Sequence, residues 1–164
     1  MKQLLASLAC LAVLACGSSA SNGADLTNVP DTNPPGTVLP ETSLVQLVGP
    51  EELNWESGNI ELKYALRVKN LATEQITLRQ IQIQTVGMEG PYSMPQRSYF
   101  FREPVNAGSE RAVEFFAKAQ SHGDRYKIDS QSPVSVRVIA YFEAPKGNFR
   151  QTFIANLGQS FKSR

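Results

Sequence analysis

The chain has 164 residues, with 16 lysines and arginines against 15 aspartates and glutamates, a single histidine and two cysteines. A formal net charge of +1 is far from the strongly basic, clustered composition of nucleic-acid binders, and one His with two Cys is a poor ligand set for zinc. With 41% hydrophobic residues the chain can build one core of its own.

The N-terminus opens on Met1-Lys2, continues through an apolar run from Leu4 to Ala15 and reaches Cys16 by way of Val13-Leu14-Ala15. One positive residue, a short apolar stretch and small residues near a cut are the layout of a secretory signal. The run is too short for a bilayer span, which takes about 20 apolar residues. Val13-Leu14-Ala15-Cys16 resembles the lipobox of bacterial lipoproteins. That resemblance implies cleavage after residue 15 and acylation of Cys16. Gly17 and Ser18 lack the aspartate that retains such proteins at the inner membrane, which implies an outer-membrane address facing the periplasm. The alternative is a plain secretory signal cut near Ala20. Cleavage at the lipobox removes Cys10, so the mature chain is expected to have no disulfide, no free thiol and no cysteine metal site.

Residues 17–43 are rich in Ser, Asn, Gly and Thr and carry Pro30, Pro34, Pro35 and Pro40. Such a segment buries too little apolar surface to offset chain entropy, so residues 16–43 are expected to form an extended linker. As a flexible coil its reach is about 30 Å. The linker holds Asp25, Asp31 and Glu41 and no basic residue, which leaves residues 44–164 with fifteen basic against twelve acidic side chains, a net of +3.

Residues 44–164 alternate polar and apolar with period two. In 60–69, Ile60, Leu62, Tyr64, Leu66 and Val68 share one phase and Glu61, Lys63, Ala65, Arg67 and Lys69 the other, the mark of a strand with one buried face. In 76–86 the apolar phase of Ile76 and Leu78 reverses at Ile81 and Ile83, predicting a β-bulge at Arg79-Gln80. Further strands are expected at 44–48, 98–102, 111–118, 134–142 and 149–157. The last two form a hairpin across Ala144-Pro145-Lys146-Gly147-Asn148, a loop composition that predicts a loose connection. About seven strands, no long helix and regular turn signals predict an all-β, antiparallel two-sheet β-sandwich.

This pattern is similar to immunoglobulin and fibronectin type III sandwiches. Tyr64-Ala65-Leu66-Arg67-Val68-Lys69-Asn70, Val105-Asn106-Ala107-Gly108-Ser109-Glu110 and the terminal hairpin resemble the water-stress (WHy) domain, with Leu71 where that family carries proline. The resemblance implies a non-catalytic domain linked to stress or envelope protection.

Catalytic groupings are sparse. His122 lies in a polar segment beside Ser121 and Asp124, too local in sequence for a triad, and reads as an exposed loop residue. Asp124 and Asp129 share a loop that lacks a calcium-binding run. Glu51-Glu52 beside Trp55 suggests an acid above a sugar-stacking ring, unless Trp55 plugs one end of the sandwich. Neither an enzyme nor a cofactor is expected.

Two surfaces stand out. Tyr99-Phe100-Phe101 cannot all point inward, so Phe100 or its neighbours face solvent between Arg97 and Arg102. Such an aromatic and cationic patch suits a protein or glycan partner. The other is the wet face carrying Lys63, Arg67 and Lys69, expected beside Gln80, Gln82 and Gln84. The reading as a whole is a membrane-anchored envelope lipoprotein that binds or scaffolds an envelope protein. A carbohydrate or peptidoglycan module and a stress-protective domain are the alternatives.

Overall fold

The computed structural model describes residues 32–48, 58–87, 90–122 and 133–158. The expectations at Cys10, Cys16, Glu51, Glu52, Trp55, Asp124 and Asp129 lie outside them. The strands are β1 (Glu41–Val48), β2 (Gly58–Lys69), β3 (Ile76–Thr85), β4 (Tyr92–Ser93), β5 (Arg97–Val105), β6 (Glu110–Ser121), β7 (Val134–Ala144) and β8 (Gly147–Leu157). They form two antiparallel sheets: sheet A in the order β1-β2-β6-β4 and sheet B in the order β5-β3-β7-β8. The chain is an all-β two-sheet sandwich.

Alternation builds sheet A. Leu62, Tyr64, Leu66 and Val68 of β2 are fully buried while Glu61, Arg67 and Lys69 are exposed. β6 pairs with β2 along its whole length, from Gly58↔Ser121 to Lys69↔Glu110, so Val113, Phe115, Ala117 and Ala119 fall on the same inner face. Complete burial of each large aliphatic side chain stabilises the fold by about 1.5–3 kcal/mol.

In sheet B the predicted bulge is present, as register shifts between Leu78 and Gln80 against both β5 and β7. Ile76 and Leu78 before it and Ile81 and Ile83 after it therefore all enter the core. The terminal hairpin is tighter than its loop composition suggested. Ala144 pairs with Gly147 across Pro145 and Lys146 alone, Gly147 taking φ +128, and Phe142 stacks on Phe149 at 5.1 Å between ring centroids.

One strand exceeds the expected number. Leaving β4 aside, β1-β2-β6 opposite β5-β3-β7-β8 is the A-B-E opposite C′-C-F-G order of immunoglobulin-like sandwiches. β4 precedes β5 in sequence yet lies on sheet A, so the chain crosses from sheet B to sheet A and back between Thr85 and Arg97. Tyr92 anchors the excursion. Its hydroxyl donates to Gln46 Oε1 at 2.7 Å, so in the 2.9 Å contact between the Tyr64 and Tyr92 hydroxyls it is Tyr64 that donates. At Gly90 a Cβ would stand 2.8 Å from the Val134 side chain, so only glycine lets the strand return so closely.

The sandwich also begins earlier than residue 44, at Glu41. Ahead of β1, the Asn33 side chain donates to the Arg150 carbonyl and accepts from the Arg150 N–H, both at 3.0 Å, as a neighbouring strand would. The segment expected to be wholly free linker is thus pinned to β8 at Asn33.

Asn70 closes the opposite connections. It is buried, its Nδ2 donates to the carbonyls of Glu74 (2.8 Å) and Val105 (3.0 Å), and its Oδ1 accepts from the Ala72 N–H (2.9 Å). Asn70→Ala strands all three groups, and urea unfolding is expected to show a loss of about 2–4 kcal/mol. Burial holds the Tyr64 hydroxyl far above its ordinary value near 10, with the neighbouring Tyr92 reinforcing the shift. The folded state keeps that proton while the unfolded state releases it, so stability falls as pH rises past about 10. Tyrosinate absorbance should therefore count fewer than the chain's five tyrosines until unfolding frees Tyr64.

Candidate functional site

β5 is the terminal strand of sheet B, and exposure alternates along it from Ser98 to Val105. Tyr99 and Phe101 point inward onto Phe115 of β6, with ring centroids 4.9 and 6.0 Å away. Phe115 in turn lies 5.8 Å from Tyr64, which ties the edge strand into the core of sheet A. Phe100 points the other way and remains 53% exposed, with Arg102 exposed on the same side. The alternation conflict is thus resolved with Phe100 outward and its two neighbours inward.

The predicted set does not form one patch. Phe100 and Arg102 lie on the outer face of sheet B, whereas Arg97 and Tyr99 line a groove of about 310 Å³ between β5 and sheet A, together with Ser98, Glu61, Phe116 and Lys118. Trp55 lies outside the described residues. Tyr99 has a structural role. Its hydroxyl takes a hydrogen bond from the Lys118 backbone, and burial raises its pKa while Arg97 and that hydrogen bond pull it back down. Farther along, Arg111 of β6 reaches Glu103 of β5 through Nη2 at 2.9 Å and Nε at 3.0 Å.

Phe116 belongs to this surface and sequence reasoning passed over it. It is 57% exposed, with the Lys63 ammonium 5.8 Å from its ring centroid. The signal was present in Phe115-Phe116, since two adjacent aromatics on a strand cannot both face the core.

The two outer faces differ in chemistry. Lys63 and Glu114, and Lys69 and Glu41, pair across sheet A, as exposed pairs of small energetic weight. Gln80 and Gln82 were expected beside Lys63, Arg67 and Lys69, but they lie on the opposite side of the molecule. They are buried rather than wet: Gln80 Nε2 donates to Ser98 Oγ at 3.2 Å and Tyr141 donates to Gln82 Oε1 at 3.1 Å. The reason is strand order, which puts β2 and β3 in different sheets although they are consecutive.

His122 lies just past the end of β6, outside any strand as expected, but is half-buried rather than exposed. Its Nδ1 lies 3.1 Å from the Gly90 carbonyl, and because a carbonyl only accepts, that nitrogen carries the proton. Among the described residues no three metal-ligating side chains converge.

No protein-family model and no curated protein sequence matches the chain. Among solved structures it is similar to a target of the Northeast Structural Genomics Consortium, at 9% identity and a TM-score of 0.40 over 71% of this chain and 82% of that one. The putative ApaA protein of Bordetella pertussis aligns at 9% identity and a TM-score of 0.43, over 74% of this chain and 94% of that one. A sporulation control protein of Bacillus subtilis aligns at 10% identity and a TM-score of 0.37; the match covers 76% of this chain and 51% of that protein's length. The functional reading therefore rests on the chain's own residues.

The inward and outward members of β5 should separate in mutagenesis. Tyr99→Ala empties the contact with Phe115 and is expected to cost about 3 kcal/mol in urea unfolding. Phe100→Ala, at an exposed position, should change stability by less than about 0.5 kcal/mol.

Proposed function

We propose that this chain is a lipid-anchored protein of the bacterial envelope. Acyl chains on Cys16 hold it to the outer membrane, facing the periplasm, and its non-catalytic sandwich binds a partner protein through the surface around β5. The anchor rests on the order of Lys2, the apolar run and Val13-Leu14-Ala15-Cys16. Several acyl chains give durable membrane attachment where one gives only reversible binding.

The observation that carries the binding role is the exposure of Phe100 and Arg102 on a terminal strand whose inward side chains are packed in the core. A rigid strand presenting an exposed ring beside an arginine matches the composition of interface hot spots, which are rich in aromatics and Arg.

Cys16→Ser should abolish palmitate labelling and release the protein from membranes; continued membrane fractionation would overturn the anchor. In cells, crosslinking should recover a partner protein with the parent chain and not with Phe100→Ala or Arg102→Ala, at unchanged thermal midpoint. Equal recovery by folded variants rejects the surface.

A further inference from the structure

We propose that the free edge of β5 is a strand-addition site for an acidic, extended segment of a partner protein. The proposal rests on the protein-binding reading above and names the chemistry of the partner.

The terminal strand of a sheet displays a row of unpaired N–H and C=O groups, which folded proteins either cover or use. Two edges here are covered at the points where a neighbour can reach them. Asn33 completes the β8 edge at Arg150 with two reciprocal hydrogen bonds. The β6 edge is met by β4 at Ser121 and Gln120 and by the Tyr99 hydroxyl at Lys118. In the last case β5 supplies the group that covers β6.

The outward edge of β5 itself meets no strand among the described residues. Asn70 takes the Val105 carbonyl and Pro104 has no N–H to offer, so the open stretch runs from Arg97 to Glu103. That is ample for a ladder, since strands are typically about 5–6 residues long. β1 ends sheet A in the same way, but its single charge, Glu41, is already paired with Lys69.

Charge identifies the occupant. Arg97 and Arg102 on β5 and Lys118 across the groove pair with no carboxylate among the described residues, while Glu61 is the one acid lining the groove. Side chains of an added strand alternate between faces. One set lies over Phe100 and Arg102; the other enters the groove over Phe116 and Lys118. Each side thus offers a ring and a cation, which suits a segment mixing apolar and acidic residues. A second copy of β5 gains less at the same place, because antiparallel self-pairing centred on Phe100 sets Arg97 opposite Glu103, whose carboxylate already holds Arg111 at 2.9 Å, and leaves Arg102 opposite Ser98.

The test uses the full chain in detergent micelles and a fluorescent peptide of about ten residues repeating Val-Val-Glu-Glu, which puts valine and glutamate on both faces of a strand at the upper end of ordinary strand lengths. Fluorescence anisotropy should show saturable binding of this peptide. A version with lysine for glutamate, and versions N-methylated at alternate backbone amides on the pairing edge, should fail to bind. Arg97→Glu with Arg102→Glu should weaken binding about tenfold or more at unchanged circular dichroism and thermal midpoint. Phe116→Ala should weaken it as well.

Absence of binding at millimolar peptide, equal binding of the lysine peptide, or indifference to N-methylation overturns the proposal. If any of these occurs while crosslinking still recovers a partner dependent on Phe100, strand addition fails and the protein-binding reading stands. Binding of an acidic oligosaccharide such as oligogalacturonate, lost in the same arginine variant while the peptide does not bind, assigns the surface to a glycan and overturns both.

Discussion

β3 lies second in sheet B, with β5 on one side and β7 on the other, so its phase determines what both neighbours can bury. A strand without irregularity would send either Ile76 and Leu78 or Ile81 and Ile83 to the outer face, because side chains alternate with a strict period of two. The shift between Leu78 and Gln80 removes that conflict and places all four in the core. It also brings Gln80 against Phe100 in the ladder, so the position of the one exposed aromatic on β5 follows from the irregularity in its neighbour. The core of sheet B and the character of its outer surface are therefore consequences of one local departure from pairing.

Much of this was readable because it is written in short-range periodicity. The alternation from Ile60 to Lys69, the phase reversal at Arg79-Gln80 and the terminal hairpin each depend on residues a few positions apart, and each appears in the structure. What escaped depends on long-range placement. Tyr92 and Ser93, set between Pro91 and Pro95, carry no periodic signal, and their pairing with β6 follows from the tyrosine contacts at Tyr64 and Gln46. Asn33 is one polar residue in a proline-rich segment, and nothing local identifies Arg150 as its partner. Alternation also showed that Tyr99, Phe100 and Phe101 could not share a face, but which one turns outward depended on the register with β3. For the same reason Lys63 and Gln80 were expected side by side: alternation reports facing, not sheet membership.

The two sheets meet along the β5–β6 side through unlike contacts. Phe115 receives Tyr99 and Phe101, the Tyr99 hydroxyl satisfies a backbone donor, and Glu103 engages Arg111. Apolar contact supplies the bulk of such a junction, and the directional polar contacts set where along β6 each β5 residue sits. That division explains why Phe100 and Arg102 can be surface residues without loosening the strand that carries them.

Asn33 bears on how the molecule responds to mechanical load. Tension applied to the chain from its N-terminal side meets the two Asn33–Arg150 hydrogen bonds before it reaches β1. Bonds held at a single residue yield one after the other, as in peeling, whereas the long register between β2 and β6 distributes force over many groups at once. Among the described residues those two bonds are therefore the first to meet such a load, and their loss leaves the pairing within both sheets untouched.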